Sequence, residues 1–327
     1  MIRIISIIVL LFSECLPAFS QMPVLVKDIY PGMFSGIMAT PNAAVVGNTL
    51  YFEAGGTNLN EEMWKTDGTE AGTVMVKDIN PGNQGSQQQF YTVYNNQLYF
   101  TAFVPGMGTE LWRTDEQEGA VPVAGDLCPG DCSGAFYGTT ERLHITFKDQ
   151  LYLRLRNELW RSDGTEQGTV LFKDINPGAS TGDPFGFVVF KDKMYFAADS
   201  ASAGTELWVS DGTGAGTHMV KNINTDFFGG CNMGTPVVGE DAFYFWATNS
   251  NGNGNELYKS DGTAAGTVLL KEIRPGSAGG QASYSGNIPM TNSAWVGNKL
   301  LFPADNGSAG AELWITDGTT AGTFMLK

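Results

Sequence analysis

Hydrophobic residues fall in short alternating runs, broken by turn-forming residues, along nearly the whole chain. In FVVFKDKMYFAAD, residues 187–199, two β-rich runs flank a Lys191-Asp192 break. ELWVSD (206–211) follows, then the turn GTGAGT (212–217) and a last run, HMVKNI (218–223). Period-two alternation between tight turns predicts four short strands in this unit, and no stretch has helical spacing.

The unit recurs. Its glutamate stands at Glu62, Glu110, Glu158, Glu206, Glu256 and Glu312, with successive spacings of 48, 48, 48, 50 and 56 residues. Each copy carries an aromatic or apolar strand before that glutamate: LYF at 50–52 and 98–100, LYL at 151–153, MYF at 194–196, FYF at 243–245 and LLF at 300–302. A basic-acidic strand end follows it, as in VKDI (76–79), FKDI (172–175), VKNI (220–223) and LKEI (270–273). Units of about 40–50 residues with four strands each are the signature of a β-propeller. The expectation is therefore an all-β chain, a β-propeller of about six four-stranded blades; a β-solenoid is the alternative. VLVKDI at 24–29 is a fourth-strand copy without its first three strands, so an incomplete seven-bladed ring stays open beside six closed blades.

Each repeated letter has a structural job. Trp64, Trp112, Trp160, Trp208 and Trp314, with Tyr258 standing in once, are expected to pack between neighbouring blades. Full burial of such a ring stabilises by roughly 2–3 kcal/mol. In the Asp-Gly-Thr turn, Asp67, Asp163, Asp211, Asp261 and Asp317 bond nearby backbone N–H groups, and the glycine supplies positive φ. A carboxylate repeated in every unit suits a repeated backbone hydrogen bond, whereas catalysis needs a unique pair. The segments ELW-x-[ST]-DGT-xx-GT, spread over residues 62–323, resemble the tandem ELWxxDGT-repeat proteins of secreted bacterial origin. That resemblance implies a fold and export, and attaches no general activity. The turn is also similar, more loosely, to the Asp-box of sialidase propellers, which is structural there.

One unit departs from the pattern: DEQEGA at 115–120 replaces the Asp-Gly-Thr turn, and a shortened RLRNELW (154–160) is assigned to the same altered blade. Strand parity puts the short first hairpins and the Asp-Gly-Thr turns on one face. The opposite face collects links of varied length, such as NPGNQGSQQQF, CPGDCSGAFYG, NTDFFGGCN and RPGSAGGQASYSGN. Function is usually carried on such loops, so a ligand is expected there. Tyr91, Tyr137, Phe185, Phe228 and Tyr284 are the stacking candidates for a sugar, with burial as innermost-strand or channel residues the competing reading.

Charge narrows the partners. The formal net charge of −15 repels phosphate backbones and anionic lipid, which disfavours nucleic acid. At the N-terminus, Arg3, the apolar run Ile4 to Phe12 and Ala18-Phe19-Ser20 read as a signal peptide over 1–20, leaving 21–327 as the propeller. No later stretch is expected to insert into a membrane. Export permits a disulfide, and CPGDC places Cys128 and Cys132 around a Pro-Gly turn. Zinc has only His144 and His218 to draw on, neither at ligand spacing to the cysteines.

Catalytic signatures are sparse. With two histidines and no G-x-S-x-G elbow, a nucleophilic triad has no support, and no glycine-rich loop opens a helix for a phosphate. Asp131 and the Asn249/Asn251/Asn253/Asn255 series offer oxygens for a structural calcium, but no D-x-D-x-D-G loop exists, so no cofactor is assigned. Three functions remain: a secreted or cell-surface binding module for a carbohydrate or an extracellular protein; a polysaccharide hydrolase or lyase using two loop carboxylates; and a structural adhesin segment.

Overall fold

The computed structural model describes residues 24–31, 36, 43–55, 60–82, 84–127, 143–178, 181–225, 230–231, 233–250, 254–277, 279–281 and 290–327. Cys128, Cys132, Tyr137, Phe228, Tyr284 and the segment 1–20 lie outside the described residues.

Six four-stranded antiparallel sheets follow one another along the chain, each with its strands in sequence order, in a β-propeller-like arrangement. Blade 1 is β1–β4 (Ala43–Val46, Thr49–Ala54, Glu62–Thr66, Val74–Lys77), and blade 2 is β5–β8 (Gln89–Tyr94, Gln97–Val104, Gly108–Asp115, Gly119–Pro122). Blade 3 is β9–β12 (His144–Phe147, Gln150–Leu155, Glu158–Ser162, Val170–Lys173), and blade 4 is β13–β16 (Phe185–Phe190, Lys193–Ser200, Gly204–Ser210, His218–Lys221). Blade 5 is β17–β20 (Val237–Val238, Phe243–Ala247, Glu256–Ser260, Val268–Lys271). Blade 6 is β21–β24 (Ala294–Val296, Lys299–Asp305, Ala311–Thr316, Phe324–Met325). First strands of successive blades touch, β1 with β5, β5 with β9, β9 with β13 and β13 with β17, as radial packing requires.

The core is a set of layers between blades. Trp112 packs with Met63, Ile79 and Phe100 between blades 1 and 2, and Trp208 with Tyr152, Leu159 and Phe196 between blades 3 and 4. Tyr258 takes the same place beside Tyr195, Leu207 and Phe245, and Trp314 beside Tyr244, Leu257 and Phe302. Trp160 lies at the edge of the layer holding Tyr99, Leu111 and Leu153. Period-two alternation explains this: the tyrosine and phenylalanine of one second strand point to opposite faces, so each blade wets neither side.

The motif's turn is a closed hydrogen-bond circuit, the same in five blades. In blade 5, Asp261 Oδ1 accepts from Thr263 N (2.8 Å) and Thr263 Oγ1 (2.7 Å), and Thr263 Oγ1 accepts from Gly266 N (3.0 Å). Thr267 Oγ1 donates its single proton to Thr263 O (2.7 Å), so the 2.7 Å contact to Ser260 Oγ must be donated by the serine, which itself accepts from Gly262 N (3.0 Å). Both glycines are obligatory for different reasons. Gly262 has φ +93°, with the Tyr195 hydroxyl of the preceding blade resting against it, whereas a Cβ on Gly266 would overlap the whole Asp261 carboxylate.

Blade 2 keeps the aspartate but shortens the turn: Asp115 Oδ1 accepts from Gln117 N (2.8 Å) and Glu118 N (2.9 Å), and β7 pairs with β8 without the register shift seen in blades 1, 3, 4 and 5. The shortened RLRNELW belongs to blade 3, where Arg156 and Asn157 both take positive φ in a two-residue turn between β10 and β11. The two irregularities thus sit in adjacent blades, not in one as the sequence grouping had them, because the unit boundary falls in the link between them.

Candidate functional site

Five of the six repeated glutamates, those of blades 1 to 5, are committed to the framework. Glu206 accepts from Ile223 N (2.7 Å) and Asn224 N (3.1 Å), and Glu256 from Ile273 N (2.6 Å) and Arg274 N (3.1 Å). Glu62 takes Ile79 N, Asn80 N and Ser86 Oγ; Glu158 takes Ile175 N and Gly182 N; Glu110 takes Leu127 N. Each carboxylate ties the start of a third strand to the end of the fourth and the link beyond. Burial pushes Glu206 and Glu256 up to about 7 against the pull of those N–H groups. Glu206 and Glu256, buried and enclosed by backbone amides, have no face left for a substrate.

Two of the sequence-predicted stacking residues can be placed. Tyr91 in β5 is half-buried, lies 6.1 Å from the Phe100 ring and donates to Gln88 Oε1 (3.2 Å); burial holds its phenol well above the usual range. Phe185 in β13 is half-buried against the layer between blades 4 and 5. The structure does not bring the two together: they start the first strands of different blades. Much of the variable-link face lies outside the described residues.

A different concavity is described, on the face of the tight turns. It opens between blades 5 and 6 with a volume of about 800 Å³, lined by Glu240, Asp241, Tyr244, Lys259, Trp295 and Asp317 among others. Its first wall is an irregular hairpin. Elsewhere β-strands one and two are joined by two residues: Asn95-Asn96, Lys148-Asp149 and Lys191-Asp192 have positive φ at both positions, and Gly47 and Gly297 at the first. In blade 5 the loop is Gly239-Glu240-Asp241-Ala242, closed by Gly239 N to Ala242 O at 2.9 Å.

The second wall is an indole at an unusual place. Trp295 lies in β21, where its counterparts are the exposed Val45, Val93 and Val189, Thr146 in blade 3 and the half-buried Val238 in blade 5, and it is itself 38% exposed. Its Nε1–H donates to Val238 O (3.1 Å), and its ring meets Tyr244 edge-on at 5.8 Å. A Cβ on Gly239 would strike the indole, so the glycine is what lets the ring lie over the hairpin. Lys259 donates to Gly318 O (2.6 Å), and burial first, then Asp317 and Asp241, push the Tyr244 phenol up, keeping it a neutral donor.

A second groove of about 670 Å³ occupies the same place between blades 1 and 2, with Tyr51, Lys65 and Asp115 in equivalent positions. Val93 stands there where blade 6 has Trp295, so of these two grooves the one between blades 5 and 6 offers an exposed indole at this position. Sequence reasoning missed it. The available signals were a tryptophan outside the motif and the one first hairpin that breaks the two-residue rule.

Among the described residues, no group of three or more His, Cys, Asp or Glu side chains converges to hold a metal ion, and no helix is long and apolar enough to cross a membrane. No family model and no curated protein matches the chain. Solved structures similar to it include a puromycin hydrolase, at 12% identity and TM-score 0.49 over 89% of this chain and 45% of that one. TolB from Acinetobacter baumannii is similar at 10% identity and TM-score 0.39 over 80% of this chain and 59% of that one. AztD from Citrobacter koseri is similar at 12% identity and TM-score 0.43 over 87% and 70%. The chain spans under half the length of the puromycin hydrolase.

Proposed function

We propose that this chain is a secreted or cell-surface binding module of the ELWxxDGT-repeat kind, and that the groove between blades 5 and 6 holds a neutral saccharide. The observation carrying the reading is Trp295: a large, half-exposed indole where blades 1, 2, 4 and 5 have valine and blade 3 has Thr146, held in place by its own hydrogen bond and by Gly239. An indole fixed in this way presents a flat apolar surface to sugar C–H groups at little entropic cost. Around it, the Tyr244 hydroxyl, the Asn298 amide and the Glu240 and Asp241 carboxylates supply donors and acceptors for sugar hydroxyls. Three acidic side chains against Lys259 disfavour sulfated or uronic-acid sugars.

The test is a glycan array probed with residues 21–327 and, in parallel, with Trp295→Ala. Expected are hits among neutral glycans that weaken at least tenfold in the variant while its melting temperature changes little. Hits confined to anionic glycans, or hits indifferent to Trp295→Ala, would overturn the assignment.

A further inference from the structure

Two apolar positions of the repeat that are fully buried in the other blades are exposed in the first and the last blade. The leucine after the motif glutamate is Leu111, Leu159, Leu207 and Leu257, with Met63 in blade 1, and all five are 0–1% exposed. In blade 6 the same position is Leu313, 47% exposed. The residue opening the second-strand aromatic run is Leu98, Leu151, Met194, Phe243 and Leu300, all 0% exposed; in blade 1 it is Leu50, 37% exposed. The bare side of blade 6 is the one that would receive a following blade, and the bare side of blade 1 is the one that would receive a preceding blade.

Against blade 1 lies a single strand's worth of chain in fourth-strand register. Lys27 Nζ donates to Thr73 O in blade 1 (2.8 Å), as Lys221 Nζ does to Thr267 O (2.6 Å) and Lys77 Nζ to Ala120 O (2.9 Å) in the next blade along. Gly36 O accepts from Gly55 N (3.1 Å), repeating the bonds of Gly182 O with Asp199 N (2.7 Å) and Gly280 O with Asp305 N (2.9 Å). A Cβ on Gly36 would meet Ile29, as one on Gly182 would meet Ile175 and one on Gly280 would meet Ile273. The latter two would also strike Glu158 and Glu256, whereas the three atoms nearest a Cβ on Gly36 belong to Ile29 and Tyr30. Val24 and Leu25 are correspondingly bare.

We infer that residues 24–28 are the fourth strand of a seventh blade, completed by three further strands of the same repeat that enter after Lys327 and fill the space between the Leu313 and Leu50 faces. The occupant is specified by what is already present. It must bring a motif glutamate for the Ile29 end, an aromatic to lie on blade 6, and a second-strand tyrosine face to cover Leu50. Edges left in this state are open to pairing.

The test extends the chain. A copy of residues 174–217, which holds a link, three strands and the Asp-Gly-Thr turn, is appended to Lys327, and hydrogen exchange is compared with that of residues 21–327. Expected is at least a tenfold slowing of the Val24–Asp28 amides, a higher melting temperature, and a larger penalty for Leu313→Ala in the extended chain than in the parent. A second extended chain, in which the appended glutamate corresponding to Glu206 is alanine, should lose most of that slowing. Unchanged exchange in the extended chain, or a parent that is already a dimer with both leucine faces protected by its second copy, would overturn the inference.

Discussion

Replacing Gly266 by alanine tests whether the motif's second glycine is dictated by the aspartate beside it. Its backbone φ is ordinary, so conformational strain is not the issue; the added methyl would occupy the space of the Asp261 carboxylate. Asp261 must then swing out, abandoning its bonds from Thr263 N and Thr263 Oγ1, and the Gly266 N–H to Thr263 Oγ1 bond loses its alignment. Three bonds at about 1 kcal/mol each, less the 0.4–1 kcal/mol that Gly→Ala returns through the unfolded chain, leave a loss of about 2 kcal/mol. The control is Gly214→Ala, where a Cβ meets nothing and where blade 5 already carries Ala264. That change should be neutral or slightly stabilising. Urea unfolding of residues 21–327 followed by tryptophan fluorescence reads both. Because the cause is one carboxylate, Gly266→Ala should cost no more in an Asp261→Ala background than Gly214→Ala does. Equal effects of the two glycine substitutions in the parent, or an undiminished penalty in that background, would refute the reasoning.

Other consequences follow from the same contacts. Trp208 Nε1–H donates to Ala198 O (3.1 Å) while the buried Trp112 Nε1–H has no hydrogen-bond partner among the described residues, so Trp208→Phe should lower the melting temperature more than Trp112→Phe. Leu159→Ala removes a fully buried side chain and should cost about 2–5 kcal/mol, whereas Leu313→Ala in residues 21–327 should cost under about 1 kcal/mol by the same urea assay. Glu206 and Glu256 are raised to about 7 in the folded protein, above the ordinary 4.5, so between those values the native state binds more protons than the unfolded chain. Their contribution is therefore fully present below pH 4.5 and lost as pH rises through 7; the urea midpoint should fall from pH 5.5 to pH 8, and a rising midpoint would contradict the burial argument.

The fold was legible because its information is repeated. One alternating pattern, one Asp-Gly-Thr corner and one aromatic wedge recur at nearly constant spacing, and local chemistry suffices to read each of them. Trp112 and Trp208 pack between blades as their positions suggested, and Glu206 and Glu256 hold backbone amides in the way a repeated carboxylate should. The groove was not legible for the opposite reason. Trp295 acquires meaning only by comparison with Val45, Val93 and Val189 across blades, and by lying over Gly239 of the preceding one, which is a contact between units that no single repeat encodes. Tyr91 and Phe185, for which innermost-strand burial stood beside sugar stacking in the sequence, are both half-buried in first strands, where a ring gains from packing.

The account rests on the motif glutamate being a framework clamp in blade after blade, with recognition left to what is not repeated. Amide hydrogen exchange of residues 21–327 reads that clamp directly, at Ile79, Ile175, Ile223 and Ile273, whose N–H groups all end on a motif carboxylate. Slow exchange at all four, accelerated at Ile223 alone by Glu206→Ala, is the expected result. Fast exchange at three of them with protection confined to one blade would contradict it, because a carboxylate that matters in a single blade is a site and not a scaffold.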